Sequence, residues 1–558
     1  MSSLPSAGPL AQPQRSTLGS WVRGPFARLR MRRRGLLTEM AKLSRGVDAA
    51  LSASAPEARA PRVLVVQLKI GSVLAGYSAV FAQALRLRGA DVGVLTCGGG
   101  QPACEVGWAR RNHPFPCNRC SYFTDTWARA QGVEFFRLGD HMPWGRDASR
   151  APLALPDGPA GGVDYDDAAK VSVPRFFLAA QHEELPLSPE VSRDFRLAAH
   201  GVEQAVAPVL ERFDPDVVVI YNGLTTSEYV VKRVAELRGC RVVTYSGGFL
   251  ARTLMFSDTV EPAERMDSEA WWSEVAERPL TEEQTAMIRG YLDGRAAGRD
   301  TYERYYDAPR DEGLLEALGV AGHDRVATLF TNITWDTGCL DREVGFASMR
   351  AWVLASIEAA RRYPRTALIV RVHPEEIRWG SREMVGDAIR EAFPELPANV
   401  RVIGPDESIN SYALIDSSDV VLTYTTTVGV EAAVRGRAVA VCGEAHYRGK
   451  GFTIDVDGPE DLHDVLAHGG EMSEAQVELA LRYAFMFFLR MCVPFPAVRD
   501  AADAVDALEA MPSTAAEIAP GADPYVDFVC DRILSGGDFL LPEALVATAA
   551  EPTPQPTT

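Results

Sequence analysis

Cysteine is scarce, long apolar runs are missing, and beyond the first sixty residues basic charge is outnumbered. Nine cysteines in 558 residues are too few for a disulfide scaffold. Reduced thiols in a reducing compartment are expected, and five of the nine stand alone, at Cys240, Cys339, Cys442, Cys492 and Cys530. No stretch approaches the roughly 18 consecutive apolar residues of a membrane span, and the N-terminus lacks the apolar core and cleavage site of a signal peptide. A cytoplasmic protein is the default. Residues 1–62 hold eleven Lys/Arg against three Asp/Glu, which leaves 46 basic and 72 acidic residues in the remainder. A body of that charge repels nucleic acid, whereas the basic tail suits an anionic surface.

What is present is ordinary for a globular chain, 47% apolar and 24% charged, at a length that calls for two domains with extensions. Residues 1–60 read as a basic tail. Within it, Trp21 to Leu43 interleaves apolar residues with Arg28, Arg30, Arg32, Arg33 and Arg34. This is either a helix lying peripherally on a membrane, gaining about 1 kcal/mol per basic residue near anionic headgroups, or a solvated tail. From Arg62 the texture changes to VLVVQL, the turn KIGSVLAG, a helical pattern through Leu87, and DVGVLT. Strand, glycine turn, helix and strand open a doubly wound parallel sheet. After an irregular stretch from Cys97 to Pro186, the alternation resumes with strands at 217–222 and 241–245 and a polar helix from Thr281 to Tyr306. A second set of strands follows at 326–330, 367–372, 400–403, 420–423 and 438–442, separated by helices. The fold class is therefore α/β, with two Rossmann-like domains, 61–306 and 307–511, facing a cleft, and an extension from 512 to 558 that ends without periodicity.

Polar groups gather where the strands of the second domain end. TYTTTVGVEA places Thr425, Thr426 and Thr427 at a helix start, Gly429 in its first turn and Glu431 one turn in. Hydroxyls at a helix start suit a phosphate, and the carboxylate suits ribose hydroxyls; ordinary helix capping is the competing reading. RVHPE holds His373 at a strand end with Pro374 fixing the turn, so that the imidazole can donate to a leaving phosphate. TNITWD adds Asn332, Thr334 and Asp336, and HYRGKG adds Arg448 and Lys450 for a diphosphate or a sugar carboxylate.

In this order the motifs resemble those of the capsule polysaccharide biosynthesis and export family of GT-B-fold glycosyltransferases over about residues 320–495. That group includes enzymes that transfer 3-deoxy-manno-octulosonic acid (Kdo) from its CMP-activated form. The resemblance implies a nucleotide-sugar donor site in the second domain, a glycan or glycolipid acceptor site in the first, and inverting transfer without a catalytic metal. It implies phosphate contacts for His373 and Thr425 to Thr427, and a ribose contact for Glu431. Relatives carry an acidic residue at the start of a segment like YSGGFLARTLMFSD, where this chain has Ser246, Gly247 and Gly248. The base that deprotonates the acceptor must then lie elsewhere. Asp140, His141 and Glu228 are the candidates by their place near loop or strand ends. Lys69, Gly71 and Ser72 follow the first strand without a GxGxxG or GxxxxGK[ST] pattern and read as an acceptor-side loop. Two other functions stay open, a nucleotide-sugar 2-epimerase or hydrolase, and a catalytically inactive glycan-binding or assembly protein.

Cys97, Cys104, Cys117 and Cys120 end in a CxxC pair. They suit a structural zinc, with His113 able to replace one of them, an iron–sulfur cluster, or simple burial as thiols.

Overall fold

The computed structural model describes residues 36–52, 60–69, 74–155, 161–250, 252–297, 313–495, 512 and 514–549. Gly71, Ser72 and the Trp21–Arg34 segment lie outside them. Two sheets form the scaffold. The first contains β1 (Arg62–Gln67), β2 (Asp91–Thr96), β3 (Glu134–Arg137), β4 (Val217–Tyr221), β5 (Arg241–Gly247) and β6 (Thr253–Ser257). The second contains β7 (Arg325–Phe330), β8 (Thr366–Arg371), β9 (Val400–Ile403), β10 (Val420–Thr423), β11 (Ala438–Val441) and β12 (Ile454–Asp455), and the chain then returns to the first sheet as β13 (Val493–Pro494).

The orders are β13-β6-β5-β4-β1-β2-β3 and β12-β11-β10-β7-β8-β9. Both centres are parallel, and their strands are near-continuous apolar runs because helices cover both faces. In each sheet the strand order reverses beside the first strand, between β1 and β4 and between β7 and β10. Such reversal points splay the flanking loops apart and open the ligand crevice at the carboxyl ends of the strands.

Three features depart from the sequence reading. β5 turns back as the antiparallel β6, which β13 extends by pairing Val493 with Leu254. The crossing back to the first lobe thus falls before residue 511, and the helix Pro524–Ser535 packs against the helix Leu74–Leu87 of that lobe. The helix Leu36–Leu51 packs on the helices Leu74–Leu87 and Cys117–Ala130, burying Met40, Leu43 and Val47. Its apolar face is therefore part of the first lobe's core. The polar helix at the domain crossing is described over Glu282–Ala296 and begins with a capping box of Thr281 and Gln284. Among the described residues no helix is long and apolar enough to cross a membrane.

Candidate active site

Strand register builds the cleft. Phe330 of β7 is paired with Thr423 of β10 on one side and with Arg371 of β8 on the other. Two residues beyond each of these come Asn332, Thr425 and His373, so the three strand ends deliver their polar groups at the same level. They line a cleft of about 470 Å³ together with Thr426, Thr427, Glu431 and Asp336. The first lobe closes the other side with Arg175, Ser246, Gly247, Gly248, Phe249 and Glu264.

The His373 backbone N–H donates to Thr331 Oγ1 (2.9 Å), and its Nδ1 accepts the Glu375 N–H (3.2 Å). An Nδ1 that accepts leaves the ring proton on Nε2. Burial, with the neighbouring Arg371 guanidinium second, pushes the imidazole down to about 4, so it is neutral near pH 7 and remains a donor. Asn332 Oδ1 accepts the Thr425 N–H (3.2 Å) and ties the end of β7 to the threonine turn. Thr425 is buried, and among the described residues its hydroxyl has no partner. A buried hydroxyl left without a bond is costly.

Glu431 also reaches the cleft. Its carboxylate is already held by Arg295 Nε (3.2 Å) and by the Tyr412 hydroxyl, so a ribose would share it with those donors. Asp336 meets Arg175 across the cleft at 3.4 Å, while Thr334 is buried beneath and does not line it.

Several sequence-based assignments need correction. Gly429 does not face the cleft: a side chain there would run into the Tyr447 ring, whose hydroxyl holds the Thr426 carbonyl (2.7 Å) and Thr423 Oγ1 (3.0 Å). Its role is close packing. Arg448 and Lys450 are spent elsewhere, Arg448 on the Val441 carbonyl (2.8 Å) and Asp457, Lys450 on Glu269, and neither lines the cleft. Arg175, Arg295 and Arg371 are the arginines that do.

None of the three base candidates lines the cleft. Asp140 is partly buried, which opposes ionisation, yet the guanidinium groups of Arg146 and Arg137 prevail and hold its carboxyl below the usual range. A carboxylate so paired is a weak base. His141 is exposed, and Glu228 is buried in a network with Lys69 (2.8 Å) and Thr225. Lys69 also pairs with Glu105 at 2.6 Å, so it supports the first lobe from within.

A carboxylate does reach the SGG segment, that of Glu264. It lines the cleft from the first lobe, accepts the Ser246 hydroxyl through Oε2, and accepts the Thr337 hydroxyl of the second lobe at 3.0 Å. The β5–β6 reversal brings this carboxylate, eighteen positions downstream, back onto Ser246. No local motif announces it. The signal available in the sequence was only that YSGGF and LMFSD could pair as a hairpin, which would return the following EPAER segment to the cleft.

The four clustered cysteines line a second, much smaller cavity in the first lobe. His113 is paired with Asp147 (3.4 Å) and does not line it.

Two parallel sheets facing a shared cleft, with the polar strand ends on the second, define a two-lobed α/β protein of GT-B architecture. Residues 340–486 match the model of the capsule polysaccharide biosynthesis protein family, as the motif order led one to expect. Among solved structures, the β-Kdo 2,4-transferase KpsC of Thermosulfurimonas dismutans is 17% identical and covers 48% of this chain and 78% of its own, at a TM-score of 0.31. UDP-GlcNAc 2-epimerase from Neisseria meningitidis is 12% identical over 75% of this chain and 94% of its own, at 0.24. The glycosyltransferase SnogD from Streptomyces nogalater is 15% identical over 77% and 96%, at 0.23. No curated protein matches the chain.

Proposed function

We propose that the protein transfers a sugar from a nucleotide-sugar donor, of the CMP-Kdo or NDP-sugar type, to a surface or capsular polysaccharide acceptor at the cytoplasmic face of the membrane. One observation carries this reading: the register of β10, β7 and β8 brings Thr425, Asn332 and His373 level at the strand-order reversal, inside a cleft that the first lobe covers. The donor phosphate takes the Nε2 proton of His373 as a hydrogen bond and satisfies the unpartnered Thr425 hydroxyl. Glu264, on the acceptor side, exchanges its Ser246 or Thr337 hydroxyl for the acceptor hydroxyl and takes its proton as the glycosidic bond forms. A single displacement of this kind inverts the anomeric carbon and expels the nucleotide, and protein donors stabilise its charge without a catalytic metal.

The test uses the full chain with a panel of CMP-, UDP-, GDP- and TDP-sugars and glycan acceptors. His373→Ala and Thr425→Val are expected to weaken donor binding by about tenfold or more, the worth of a hydrogen bond to a charged group. Glu264→Gln is expected to lower kcat by roughly 10²–10⁴ while donor binding persists. Unchanged donor affinity in His373→Ala would sink the donor site, and an unchanged kcat in Glu264→Gln would sink the base. Nucleotide release at the same rate with and without acceptor would favour a 2-epimerase or hydrolase.

A further inference from the structure

The proposed transfer makes no use of Cys97, Cys104, Cys117 and Cys120, yet the fold gathers them. Cys97 directly follows β2. Cys104 begins a tight turn in which Cys104 and Gly107 exchange both backbone hydrogen bonds, at 3.1 and 3.0 Å. Cys117 and Cys120 stand one turn apart at the start of the helix Cys117–Ala130. All four sulfur-bearing residues line one cavity of about 20 Å³, together with Lys69, Gln101 and Ser121. That is room for about one water or one ion, and far too little for a four-iron cluster.

Polar groups reach two of the four sulfurs. Gln101 Nε2 donates to Cys97 Sγ at 3.2 Å, and the Cys104 thiol reaches the Gly107 carbonyl at 3.7 Å. Gly98, Gly99 and Gly100 run consecutively at φ +69°, +95° and +95°, a path that only glycine follows without strain. An amide N–H donated to Cys97 Sγ is the kind of contact by which proteins tune metal-bound sulfur. A bound divalent cation deprotonates coordinating thiols outright. None of the four is in a disulfide. Among the described residues no three His, Cys, Asp or Glu side chains already stand in ligating positions, so loading turns the sulfurs inward onto the void.

We propose that Cys97, Cys104, Cys117 and Cys120 are the ligands of a single zinc-class ion that fastens the segment 97–120 to the carboxyl edge of the first sheet. Four thiolates around one small void select a soft, tetrahedral divalent ion. The ion pins the loop that carries Gln101, which accepts the Ser227 hydroxyl at 2.7 Å, and so fixes the acceptor-side rim of the first lobe.

The full chain, purified without chelator, is expected to carry about one zinc per molecule and no acid-labile sulfide, with release of the metal by a mercurial thiol reagent. Reconstitution with cobalt(II) is expected to give intense thiolate-to-metal charge transfer in the near ultraviolet and the visible bands of a tetrahedral site. Cys117→Ser with Cys120→Ser is expected to lose the metal, whereas Cys240→Ser, a half-buried cysteine elsewhere in the lobe, keeps it. The cobalt spectrum is read on the unaltered chain, so it decides the matter even where the double variant fails to fold. A chain that is metal-free and gives no charge-transfer band overturns the proposal. Iron with sulfide overturns the single-ion assignment, and zinc retained in the double variant overturns the ligands.

Discussion

At Glu376 the chain keeps a carboxyl where water does not reach. The residue is fully buried, and among the described residues its Oε2 is unpartnered and its Oε1 receives only the Val385 N–H at 3.4 Å. Burial first, then the nearby Glu383 and Asp387, raises it to about 8 from its ordinary 4.5. Between those two values the unfolded chain has released a proton that the folded chain still holds. Stability therefore falls as pH rises through that window and levels off above about 8. Glu376→Gln keeps an acceptor for Val385 and removes the ionisation. Its melting temperature is expected to exceed that of the unaltered protein above about pH 8 and to equal it near pH 4, with a gain at high pH on the order of a few kcal/mol at most. Equal differences at both pH values would show that the side chain does not titrate as its burial requires. His373 and His446 act in the opposite direction. Burial, with Arg371 beside the first and Arg342 and Lys450 beside the second, lowers them to about 4 and about 3. The unfolded chain takes up these protons near 6.5 while the folded chain does not, so stability contributed above that value is lost as pH falls below it.

At the scale of elements, the segment from β10 through the helix Val428–Val434 to β11 couples packing to the site. Gly429 lets the Tyr447 ring lie against the helix, and Tyr447 in turn holds the Thr426 carbonyl in the turn that lines the cleft. Gly429→Ala is expected to displace that ring, at a cost of about 1–3 kcal/mol for overpacking, or about 2–4 °C in melting temperature per kcal/mol in a domain of this size. Donor affinity should fall with it, because the threonine turn loses its fixed carbonyl. A variant that melts lower and binds donor unchanged would separate packing from the site. This segment was legible in the sequence because strand, turn, helix and strand follow one another within about twenty residues and each carries its own periodicity. The same is true of β7 and β8, and hence of Asn332 and His373. Glu264 and Arg295 were not legible, since each reaches the cleft through contacts with distant partners, Ser246 and Thr337 for one and Glu431 for the other. Arg448 and Lys450 were misread for the complementary reason. A glycine-flanked cation pair looks available until Asp457 and Glu269 are folded against it. β3 lies inside the irregular stretch and β6 follows β5 with no helix between them, so neither continues the strand–helix alternation, and β13 is two residues long.

Over the whole molecule, the two lobes are fastened by bonds from the first to loops of the second. Arg265 Nη1 donates to the carbonyls of Thr337 (2.8 Å) and Leu340 (2.9 Å), and Glu383 accepts the N–H groups of Ala180 (2.8 Å) and Gln181 (3.2 Å). Arg175 and Asp336 meet at 3.4 Å and Lys170 and Asp341 at 3.0 Å along the same seam. Most of these are polar contacts, the kind that interdomain surfaces make and break as lobes move. Closure of such a seam expels water from the cleft and so protects an activated sugar from hydrolysis until an acceptor hydroxyl is in place. Arg265 anchors the loop that presents Thr337 to Glu264. Arg265→Ala together with Glu383→Ala is expected to open the seam. Small-angle scattering should show a larger radius of gyration in the absence of ligand, with secondary structure preserved by circular dichroism. Donor hydrolysis without acceptor should rise relative to transfer, while donor binding, assigned in the proposed function to His373 and Thr425 within the second lobe, stays within a few-fold of the unaltered protein. An unchanged radius with an unchanged ratio of hydrolysis to transfer would mean that the lobes are held by their apolar contacts and by the double crossing of the chain, and that the polar seam is not the gate.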